Sequence, residues 1–255
     1  EILADPDLLK RHIPPAWLSR GEMAGLLSVF LAVNGTGCSK DQPAGSSTRP
    51  AGNDLAGKAA IVAPVFEHGE GRGATGCVVV NPPVFLSEEE ALQVITEELA
   101  RAGLSSFEQE VTLEGVLIPP RRLQFKTDWV GGSHKAETVA IPERAKPLKV
   151  DLNDPTHRIA VEFIAHADYL DLGGASSMST VQGYDMKDAA SWVGKHVREQ
   201  GRGLYAAVLY DPVARLAVDR QPGDWRKQME EKKAESKRLL RLQVKDFVDW
   251  LKGQG

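Results

Sequence analysis

Asp151, Glu162, His166 and Asp168 are the densest set of groups in this sequence that can hold a proton or a cation. Glu162, His166 and Asp168 recur at even spacing along and just beyond the apolar stretch 159–165. If that stretch is a strand and runs far enough, its period of two brings all three to one face and leaves Val161, Phe163 and Ala165 to the core. Carboxylates beside an imidazole suit general acid–base chemistry or a metal ion. A row of polar groups on a solvated strand face has the same spacing, so both readings stand.

His68 and Cys77 make a second candidate. With Glu67 and Glu70 nearby they offer the imidazole and thiolate that zinc or copper prefers, although no second Cys or His stands at a ligand spacing such as C-x-x-C. Between them Gly71-Arg72-Gly73-Ala74-Thr75-Gly76 spells G-x-G-x-x-G. That pattern serves dinucleotides where a helix follows at once, because the pyrophosphate must approach bare backbone at a helix N-terminus. Here Cys77-Val78-Val79-Val80-Asn81-Pro82-Pro83 follows, an extended segment. The glycines are therefore read as a flexible loop over 69–76, and no cofactor is assigned. No G-x-S-x-G elbow accompanies the serines.

The elements that must position these groups form an α+β domain over 59–255. Ser87-Glu88-Glu89-Glu90 is a capping box, and Ala91, Leu92, Ile95 and Leu99 follow on one helical face to about 102. Strand-like runs come next at 107–117, 122–130, 138–141, 148–152 and 159–165, separated by Pro, Gly and Asn-Asp-Pro breaks. A helix is expected over 186–200, a strand buried on both faces over 204–210, and a final helix from an Asp224 cap to about 252. An edge strand at 60–66 completes the set, since Pro64 cannot donate to a central ladder. The expected order is α-β-β-β-α-β-α, a mixed sheet with helices packed against it.

That order over 88–211, with Asp151 and then Glu162 on successive strands, resembles the core of PD-(D/E)XK nuclease-like domains. The resemblance implies a divalent ion held by Asp151 and Glu162, a water oriented by it, and hydrolysis, with His166 as a further candidate. In Glu162-Phe163-Ile164, however, isoleucine stands where the family keeps its lysine.

Ahead of the domain lies a different composition. Residues 23–33 are an uncharged apolar run preceded by Lys10, Arg11, His12 and Arg20 and followed by Asn34-Gly35-Thr36-Gly37-Cys38. This is the layout of an export signal, too short for a permanent membrane span. It resembles the bacterial lipoprotein type, which implies acylation at Cys38 and a membrane anchor there. Gly35 stands where an aliphatic residue is usual, so simple cleavage, or two amphipathic helices broken at Pro14-Pro15, stay open. Because the chain opens on Glu1 rather than Met, a longer precursor is expected. Residues 39–58 hold one large apolar residue, Leu55, and read as a flexible tether.

A net charge of −4 gives no basic field, so nucleic acid is not an expected partner. Two cysteines exclude a disulfide-dense scaffold and any four-cysteine metal site. The sequence thus points to an exported, membrane-tethered domain in the cell envelope. Its expected role is a non-enzymatic binding or assembly module with a protein partner, and the alternative is a metal-dependent hydrolase of nuclease-like fold.

Overall fold

The computed structural model describes residues 57–76, 79, 81–128, 133–174, 181–216 and 225–254. All belong to the compact unit Ser47–Gly255. Cys38, Cys77, Asp224 and residues 39–56 of the tether lie outside the described residues.

The chain is α+β. Three short strands come first, β1 (Ile61–Val62), β2 (Arg72–Gly76) and β3 (Pro83–Val84), before helix α1 (Glu88–Arg101). The capping box forms as the sequence predicts: Glu90 N donates to Ser87 Oγ and Ser87 N to Glu90 Oε2, both at 3.1 Å. Two orphan donors of the first turn are thereby satisfied. Strands β4 (Glu108–Ile118), β5 (Arg121–Asp128), β6 (Ser133–Ala140), β7 (Lys146–Asp154) and β8 (Ile159–Ile164) follow, then a short helix α2 (His166–Asp171) and β9 (Val181–Asp185). Helix α3 (Met186–Gln200), strands β10 (Tyr205–Tyr210) and β11 (Ala214–Arg215), and helix α4 (Trp225–Lys252) complete the domain.

The main sheet has the order β1-β10-β8-β7-β4 and is mixed. Its central pair β8 and β10 run parallel, while β7 is antiparallel to both β8 and β4. Helix α3 covers one face, packing Met186, Ala189, Ala190 and Val193 on Val150, Ala160, Ile164 and Val208. Helices α1 and α4 cover the other, where Ile95, Leu99, Leu240 and Phe247 meet Leu152, Val161, Phe163 and Leu209. Coverage on both faces explains why β8 is buried at all six residues. Among the described residues no helix is long and apolar enough to cross a membrane.

The glycine-rich stretch departs from the expected loop. Residues 72–76 are a strand paired antiparallel with β9, from Arg72 opposite Asp185 to Gly76 opposite Val181. Gly73 makes this packing fit, because a Cβ there would lie 2.5 Å from the Tyr184 phenol oxygen. Gly71, at φ +59, turns the chain into the strand with the Tyr210 ring against it. The run expected at 138–141 is likewise longer, since β6 pairs with β5 along its whole length, from Asp128 opposite Ser133 to Arg121 opposite Ala140.

Candidate functional site

Asp151 sits where β7 changes the face it presents to the core. Leu148 and Val150 face α3, but Leu152 faces α1 and α4. A period of two would hold all three on one side, so β7 shifts its pleat at Asp151. The neighbouring strand stays in register there, Gln109 with Leu152 and Val111 with Val150, with Glu110 between them at φ 56; its register shift comes further along, between Thr112 and Leu117. On the other flank the ladder to β8 runs Asp154 to Ile159, Asn153 to Ala160 and Leu152 to Val161, then stops.

Beyond that point side chains replace the ladder. Phe163 N donates to Asp151 Oδ2 at 2.6 Å, and Asp151 N donates to Glu162 Oε2 at 3.3 Å. Each carboxylate satisfies a backbone donor that the departing strand would otherwise leave bare. The turn joining β7 to β8 is fixed by another buried acid, Asp154, whose Oδ1 accepts from Thr156 N at 2.9 Å and His157 N at 3.0 Å.

Glu162 is 9% exposed and, with Ala160 and Ile164 as its neighbours on alternate positions, belongs to the α3 face. It lines a cavity of about 130 Å³ walled by Ile118, Leu148, Ile164 and Val193. Asp168 and Asp171 of α2 and Lys146 of β7 also line it. Glu162 Oε2 takes the Asp151 N–H.

Four carboxylates are close enough to act on one another. Burial pushes Asp151 up to about 7, reinforced by the charge and hydrogen bond of Glu88 and the charge of Asp168, against the Phe163 N–H that stabilises the anion. Glu162 is pushed well above the usual carboxylate range, by burial first and then by Asp151 and Asp168. Asp168 rises to about 6, mainly through burial, with Glu88 and Asp171 adding to it. Perturbed carboxyls gathered at an irregular strand are the pattern of a functional site more often than of a plain core.

Asp151 and Glu162, separated in sequence, are brought together, with Asp168 beside them. Their setting differs from the expected solvated face. The strand ends at Ile164, and His166 and Asp168 lie on α2, so the period-two row does not form. Glu162 is buried because β8 lies under helices on both sides. Asp168 Oδ2 accepts from Ala165 N at 2.8 Å, tying the first turn of α2. His166 stacks on Phe85, centroids 4.1 Å apart and rings within 9° of parallel, and burial lowers its basicity. Glu88 was legible only as part of the capping run; its approach to Asp151 depends on where α1 docks, which no local spacing encodes.

The second candidate separates differently. His68 Nε2 lies 2.7 Å from Asp246 Oδ2 on α4, and Cys77 falls outside the described residues. Among the described residues no group of three or more His, Cys, Asp or Glu is arranged to hold a metal ion. Glu162 lines the cavity under α3, whereas Asp151 meets Glu88 of α1, a helix packed on the opposite face.

Comparison with known protein families, with curated proteins and with solved structures returned no match. The chemistry of this site therefore rests on its own geometry. What that geometry offers is a small, mostly apolar chamber lined by the buried Glu162. Two further acids stand at the same chamber.

Proposed function

We propose that this chain is an exported, membrane-tethered binding module whose recognition site is the cavity at Glu162. The carrying observation is that Glu162, nine-tenths buried, lines a chamber with apolar walls together with Asp168 and Asp171. Binding pockets are typically apolar with a few convergent polar groups, and this chamber has that composition. Asp151 and Glu162 are each bonded to the backbone across the opened ladder, which gives them a task in the fold that a pair of freely turning metal ligands would not have. Ile164 leaves the acid pair without an adjacent lysine. Export and tethering are supported by the apolar run 23–33, Cys38 and the polar spacer 39–58.

A second reading, a metal-dependent hydrolase, is favoured by one observation: Glu88 joins Asp151, Glu162 and Asp168 to make four interacting carboxylates. One assay separates the two readings. The full chain is incubated with bis(p-nitrophenyl) phosphate and, separately, with single-stranded DNA, in magnesium or manganese. The binding reading expects no turnover above the Asp151→Asn variant. Metal-dependent turnover abolished by Asp151→Asn would overturn it.

A further inference from the structure

We infer that the cavity beneath α3 takes a small aliphatic ammonium cation, with its nitrogen at the Glu162 carboxyl group and its chain against Ile118, Leu148, Ile164 and Val193. This rests on the reading of the cavity as the recognition site and adds the chemical class of what enters it.

Size sets the first limit. An apolar cavity of roughly 150 Å³ accommodates benzene, so a chamber of about 130 Å³ suits about five non-hydrogen atoms. Charge sets the second. Three acids, Glu162, Asp168 and Asp171, line the chamber against one cation, Lys146, which favours a cation over an anion. Wall chemistry sets the third. A magnesium or calcium ion asks for about six or more oxygen ligands, whereas four of the walls are aliphatic and offer none. An ammonium head needs few acceptors, and its alkyl stem gains from those walls.

Protonation follows from the same groups. Glu162 is faced by Asp151 and Lys146 of β7, Glu88 of α1, and Asp168 and Asp171 of α2. A cation arriving at the Glu162 carboxyl takes the place of the proton that burial and these acids favour there, and that proton passes to the buffer.

The test is calorimetric titration of the full chain with n-butylammonium chloride, n-butanol and magnesium chloride, on the wild type and Glu162→Gln. The amide oxygen of that variant keeps an acceptor for Asp151 N, so the fold is expected to persist. Butylammonium is expected to bind at one site, about tenfold more tightly than butanol, and to lose about tenfold in Glu162→Gln while butanol is unchanged. Equal binding of amine and alcohol, or an ammonium affinity indifferent to Glu162→Gln, overturns the cation assignment and leaves the cavity as the recognition site. Failure of both amine and alcohol to bind overturns the recognition site itself. Saturable magnesium binding that Glu162→Gln and Asp151→Asn both abolish, without ammonium binding, overturns both in favour of the metal reading. Should Glu162→Gln fail to fold, exposed Asp171→Asn replaces it: ammonium affinity should fall about two- to threefold, and no change would count against the assignment.

Discussion

At the scale of single residues, the buried carboxyls make stability depend on pH in a direction that can be stated. Asp151 is raised to about 7, and Asp168 and the fully buried Asp211 each to about 6, all with burial as the largest cause. In the unfolded chain such groups titrate near 4. The folded state therefore binds more protons between roughly pH 4 and 7, and stability falls as pH rises through that window. The urea midpoint is expected to decrease from pH 5 to pH 8, and Asp151→Asn should flatten part of that slope. A midpoint that stays level or climbs would contradict it. Asp154 acts through hydrogen bonds. Its carboxylate holds two turn amides, so Asp154→Ala should cost about 2–3 kcal/mol in denaturant melts.

At the scale of elements, α1 and the β2–β9 pair show what sequence can and cannot carry. The capping box of α1 was legible because its donors and acceptors lie three residues apart, and Ser87→Ala should cost about 1 kcal/mol. The helix 186–200 and the doubly buried strand at β10 were legible for the same reason: periodicity and continuous apolar character are local signals. The pairing of residues 72–76 with 181–185 was not, because glycine there fits a partner strand more than a hundred residues away. Its consequence is testable. Gly71→Ala would put a Cβ 2.5 Å from the Tyr210 ring at a positive φ, and should destabilise by about 1–3 kcal/mol in a thermal melt. The acid site was half legible. Asp151 and Glu162 stood out as residues, but the change of face at Asp151 and the end of the β7–β8 ladder that bring them together are tertiary events. Alternation also misplaced His166 and Asp168, since the strand stops at Ile164 and a helix begins.

At the scale of the whole molecule, a domain with α3 on one face and α1 and α4 on the other carries an open chamber beneath α3, beside the strands where the β7–β8 ladder ends. The proposed tether would hold that chamber near a membrane. Intact mass of the membrane fraction, with and without Cys38→Ser, tests it: a diacylglyceryl-sized mass increase lost in the variant is expected, and a soluble, unmodified chain in both would contradict lipidation.

The central claim is that the chamber at Glu162 is where this protein recognises its ligand. It is tested most directly by carboxyl and methyl NMR of the full chain, labelled with carbon-13 at Glu, Asp, Ile, Leu and Val and titrated with n-butylammonium. Shifts confined to Glu162, Asp168 and the methyls of Ile118, Leu148, Ile164 and Val193 are predicted. Shifts that leave Glu162 and those methyls unmoved while others change would contradict it.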